Sequence, residues 1–66
     1  MDCSITVKGH LDWRWSDWFG GLTITHRENG ESMLIGQLPD QAALHGVLTM
    51  VNDLGLKLVA VECADQ

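Results

Sequence analysis

"GLTITHRENGESMLIGQL", residues 21–38, decides how the rest of the chain is read. Asn29-Gly30 suits a two-residue type I′ hairpin turn, because both of its positions need positive φ. Such a loop sets Glu28 opposite Glu31, His26 opposite Met33, Ile24 opposite Ile35 and Leu22 opposite Gln37. Leu22, Ile24, His26, Met33 and Ile35 then share the core face. Thr23, Thr25, Arg27, Ser32, Leu34 and Gly36 share the other. A slip of one residue would move a strand's side chains to the opposite faces, so the expectation is sharp. Glu28 facing Glu31 is its one repulsive pair.

Upstream of the hairpin, Cys3, Ile5 and Val7 alternate with Ser4, Thr6 and Lys8, the period of a half-buried strand. Asp12 then suits the N-cap of a two-turn helix running to Phe19, with Gly20-Gly21 as its stop. Leu11, Trp15, Trp18 and Phe19 fall on one face of that helix, which would bury the rings against a sheet. Trp13 lies off that face.

Downstream, Asp40 is the expected N-cap of a longer helix. There Leu44, Val47, Leu48, Val51 and Leu54 follow the 3.6-residue period, opposite Gln41, His45, Thr49 and Asn52. Gly55 suits a left-handed terminator, with Leu56 folding back on the last turn. Gly46 within the helix costs roughly 1 kcal/mol relative to Ala, which suggests a close backbone approach. Residues 57–63 alternate again, Val59, Val61 and Cys63 against Leu58, Ala60 and Glu62. The order is that of the split βαβ pattern, so the expected fold class is α+β, ferredoxin-like βαββαβ with a short first helix. It has a four-stranded antiparallel sheet with both helices on one face. Pairing Ile5 with Val61 and Val7 with Val59 sets Cys3 opposite Cys63.

The 66 residues leave room for one small domain, 1–66, with one core. A chain this short buries only about 60% of its unfolded surface, which favours a homodimer. The open face expected for the sheet is neutral and only slightly apolar: Ser4, Thr6, Lys8, Thr23, Thr25, Leu34, Leu58 and Ala60. It suits packing of one sheet on another. Four Lys and Arg against nine Asp and Glu give a net charge of −5. Phosphate neutralisation and docking on anionic lipid both need clustered cations, so neither nucleic acid nor membrane is an expected partner. No signal peptide and no membrane span is read, and two cysteines are too few for a disulfide framework. A cytoplasmic home is the default. Cys3 and Cys63 read as two packed thiols, with a strand-to-strand disulfide or redox pair as the alternative.

His26, on the expected core face, reads as a partly buried side chain with one hydrogen-bond partner. His10 falls in a turn, and His45 on the polar helix face. No Cys–His spacing matches a metal site, and no nucleophile or phosphate-loop motif occurs, so no metal, no cofactor and no catalytic residue is assigned. Trp13 beside Arg14 and His10 is the pattern of a partner contact, since Trp and Arg are enriched at binding hot spots. The candidate binding residues are Trp13, Arg14, His10 and His26.

At "DQAALHGVLTMVNDLGL" and "WFGGLTI" the chain resembles a family of short bacterial proteins, mostly of actinobacteria and related phyla. They share the DQAALHG helix start, a Trp-Phe pair before the hairpin and the D-L-G-L helix end. The resemblance covers residues 10 to 61 or so. Family members often read RDLGLPL where this chain has Asn52 to Leu58, and no site residue carries over. The element order is more distantly similar to ACT-type regulatory domains, which bind small molecules at dimer interfaces, although the first helix here is much shorter. The expectation is a non-catalytic homodimeric binding or regulatory domain with a small molecule or a protein as partner. The alternatives are a small enzyme with a His and carboxylate site walled by Trp at a subunit interface, and an accessory interaction module.

Overall fold

The hairpin forms one residue out of the expected register. In the computed structural model, which describes residues 1–64 apart from the Trp13 side chain, β2 (Thr23–His26) and β3 (Glu31–Gln37) pair antiparallel. Thr23 faces Ile35, Ile24 faces Leu34, Thr25 faces Met33 and His26 faces Ser32. The turn is the cause. Arg27 N–H donates to the Glu31 carbonyl at 2.7 Å and Gly30 N–H to the Arg27 carbonyl at 3.3 Å. Glu28, Asn29 and Gly30 thus make a three-residue loop, with Gly30 alone at positive φ (81°). Asn29 holds it by accepting Glu31 N–H and donating to the Glu31 carboxylate. Glu31 lies opposite Arg27, so the expected Glu28–Glu31 pair does not form.

That slip turns β3 over. Leu34 and Ser32 are fully buried, while Ile35 is 41% exposed and Met33 half-buried. Gly36 faces the core beside Leu22, which occupies the space that a side chain at position 36 would need.

The remaining pairing follows from β1 (Asp2–Lys8), whose Cys3, Ile5 and Val7 are all buried. It sits between β3 and β4 (Lys57–Ala64), antiparallel to both, and the sheet order is β2-β3-β1-β4. Cys3 faces Cys63 and Ile5 faces Val61, as expected. An irregularity between Thr6 and Val7 then sets Val7 opposite Leu58 instead of Val59. Cys3 and Cys63 form a disulfide across a Cα–Cα distance of 4.1 Å, the narrow kind of cross-strand pair. The reading of two free thiols gives way to its alternative.

The helix α1 (Gln41–Asp53) forms over the expected residues. Asp40 caps it by accepting Ala43 N–H at 2.9 Å. At its end Gly55, at φ 75°, donates to the Asn52 carbonyl and Leu56 to that of Val51, a Schellman closure. Val47 and Val51 join the core with Phe19, Leu22 and Leu38. No backbone approaches Gly46, contrary to expectation: a Cβ there would meet nothing within 4 Å.

The first α-helix of the ferredoxin-like pattern does not form among the described residues. Where two turns of α-helix are expected, the chain makes a 3-10 turn, Trp13–Ser16. Asp12 accepts Arg14 N–H, two residues on, a local bond that competes with helix propagation. The tighter winding leaves Leu11 and Phe19 inside and turns Trp15 and Trp18 outward, at 39% and 47% exposure. The two rings do not hold the turn to the sheet; Phe19, at 0% exposure, does. Among the described residues the fold is thus α+β, with four antiparallel strands and one α-helix. No helix among the described residues is long and apolar enough to cross a membrane.

Candidate functional site

Two of the four candidate residues come together. The His10 and His26 rings stack, with centroids 4.8 Å apart and planes 18° from parallel. Both are exposed. His26 is on β2, and its Nε2 pairs with the Leu11 carbonyl, so that nitrogen carries the proton. Beneath the pair lies Ser32, which sequence reasoning missed. Its hydroxyl accepts Leu11 N–H at 3.0 Å and donates to the Gly9 carbonyl at 2.7 Å. Gly9 N–H in turn donates to the Gly30 carbonyl at 2.8 Å. This knot fixes the segment after β1 to the hairpin and holds His10 over His26.

Arg14 is held by Asp12. Its Nε and Nη2 donate to one Asp12 carboxylate oxygen at 3.0 and 2.8 Å, and its backbone N–H to the other. These bonds, the side-chain one first, hold the Asp12 carboxyl below its ordinary 3.8, and the nearby His26 adds a smaller effect of the same sign. Asp12 is therefore committed to Arg14, and no hydrogen bond from either histidine to a carboxylate is present among the described residues. The Trp13 side chain lies outside the described residues. Nor does any group of three or more His, Cys, Asp or Glu among the described residues suit a metal ion.

Trp15 and Trp18 pack on each other with centroids 4.9 Å apart, and Trp18 meets Phe19 edge-on at 5.5 Å. Beside Trp18 runs a groove of about 390 Å³ between residues 17–20 and α1, lined by Trp18, Phe19, Leu38, Pro39, Gly46 and Met50 among others. Gly46 keeps the α1 wall of this groove low. The signal for exposed tryptophans was available in the sequence, since an Asx-type bond at Asp12 makes a tight turn as readily as a helix.

The opposite face of the sheet is open. Its rows follow from the pairing: Thr23, Ile35, Ser4 and Glu62 in one, Thr25, Met33, Thr6 and Ala60 in the next. Leu34, expected there, is in the core. At one end of the sheet a shallow depression of about 430 Å³ reaches the disulfide, bordered by Asp2, Ile35, Gly36 and Glu62.

Neither a curated protein nor a solved structure matches the chain. Residues 2–62 match the model of a family described as a domain of unknown function (DUF8691).

Proposed function

From a chain that belongs to this family of domains of unknown function, we propose a non-catalytic binding module that works as a homodimer. The observation that carries the reading is exposed apolar surface on a chain with little core. Trp15 and Trp18 stand in solvent, Trp18 beside an apolar groove, and Ile35 stands on the open sheet face. Contiguous apolar surface of this kind marks contact sites, and Trp is the side chain most favoured at their centres. In this reading the open sheet face meets a second copy through Ile35 and Met33. The Trp15–Trp18 ridge, with Arg14 next to it in the chain, receives a protein or small-molecule partner. Catalysis by His10 or His26 has less support, because Asp12 already pairs with Arg14. A cytoplasmic home is retained, and there the Cys3–Cys63 bridge belongs with transient or redox-responsive disulfides.

Sedimentation equilibrium tests the dimer. The wild-type chain is expected at twice its 7.3 kDa mass, Ile35→Glu as a monomer, and Trp18→Ala still as a dimer. A wild-type chain that stays monomeric at every concentration removes the proposal.

A further inference from the structure

We propose that the Cys3–Cys63 bridge is a thiol-exchange site entered at Cys63, with a low-molecular-weight thiol as its substrate. Thiol–disulfide exchange requires a thiolate to attack one sulfur in line with the bond, from the side away from the leaving sulfur. Both cysteines border the depression at this end of the sheet, but they differ in exposure. Cys3 is on β1, 3% exposed, and its far side faces Gly36 of β3. Leu22, itself 1% exposed, already fills the space over Gly36. Cys63 is exposed on β4, an outer strand of the sheet with no further strand beside it among the described residues. The same fold that buries one half of the bridge presents the other half to solvent.

In the step, the incoming thiolate sulfur bonds to Cys63 Sγ as the Sγ–Sγ bond breaks. The electron pair of the broken bond leaves with Cys3, which takes up a proton from water. The product is a mixed disulfide on Cys63 and a thiol on Cys3. A second small thiol attacking the mixed disulfide would give the dithiol protein and the small-molecule disulfide, so the thiols supply both electrons. Charge selects among thiols. The depression at the bridge is bordered by Glu62, with no Lys or Arg among its described lining residues. An anionic thiol is repelled there, and a cationic one is not.

The test uses the intact, folded chain. It is exposed briefly to glutathione, quenched in acid, alkylated, and mapped by peptide mass spectrometry while circular dichroism follows the fold. Glutathione is expected on Cys63 and the alkyl group on Cys3, exceeding the reverse isomer by about tenfold, as attack on the accessible sulfur requires. At equal thiolate concentration, cysteamine is expected to react roughly threefold to fivefold faster than glutathione, a gap that closes in 1 M salt. Glutathione found on Cys3, or equally on both, overturns the proposal. So does a bridge that opens only at denaturant concentrations that unfold the chain.

Discussion

The Ser32 hydroxyl accepts Leu11 N–H and donates to the Gly9 carbonyl where solvent does not reach. Replacing it removes a donor and an acceptor together, and a buried amide left unpaired costs about 1–3 kcal/mol. Ser32→Ala is therefore expected to lose about 2 kcal/mol in urea denaturation, with the His10–His26 stack loosening in the same variant. This residue was not legible beforehand, since a serine in a strand sends no apolar signal and only the one-residue slip brings it inside. Gly46 is the opposite case. The sequence suggested a close approach, but open space surrounds it, so Gly46→Ala is expected to stabilise the chain by about 1 kcal/mol in the same assay. Asp12 supplies a pH response. Its carboxyl is held below 3.8 by Arg14, so the stabilisation is complete above that value and disappears as pH falls through the lower folded value. The pair is exposed and the effect small. It should be seen locally, as a change in Trp15 fluorescence below pH 4 that Arg14→Gln abolishes.

Between residues and the whole lie the elements, and here sequence reasoning succeeded where a signal was unambiguous. Asp40, the 3.6-residue period and Gly55 specify α1 at both ends, because each cap satisfies backbone groups that nothing else can. The pairing of Cys3 with Cys63 followed from the element order once Ile5 was set opposite Val61, although the Val7–Val59 part of that register did not form. The hairpin register failed for a physical reason. Leu34 and Ile35 are adjacent, so either face of β3 offers an apolar run, and the turn must arbitrate. Asn-Gly serves a two-residue loop, yet it serves equally the last two positions of a three-residue one. Because Gly30 sits at φ 81°, Gly30→Ala is expected to destabilise by about 1–2 kcal/mol, read from the urea midpoint. The first helix failed because Asp12, Arg14 and the two glycines favour a short turn, and aromatic spacing does not measure turn length.

At the scale of the molecule, the disulfide and the dimer bear on one another. A chain of 66 residues carries a net stability of about 3–10 kcal/mol at typical values per residue. The Cys3–Cys63 bridge closes a loop across a separation of 60 residues, worth about 4 kcal/mol by the chain-entropy account. It is also the covalent hold on β4, whose residues are exposed except Val61. Without the bridge the monomer is marginal, and what remains to support it is contact with a second copy over the open sheet face. Coupling of this kind has a signature. A folded dimer in equilibrium with unfolded monomers melts at a temperature that rises with protein concentration. The Cys3→Ser/Cys63→Ser double variant is therefore expected to melt well below the wild type, since each 1 kcal/mol shifts the midpoint of so small a domain by about 4–8 °C. Its midpoint should also climb over a hundredfold rise in concentration, and adding Ile35→Glu should remove the climb. A midpoint independent of concentration would mean that the small core suffices without a partner, and the exposed Ile35 would then need a different occupant.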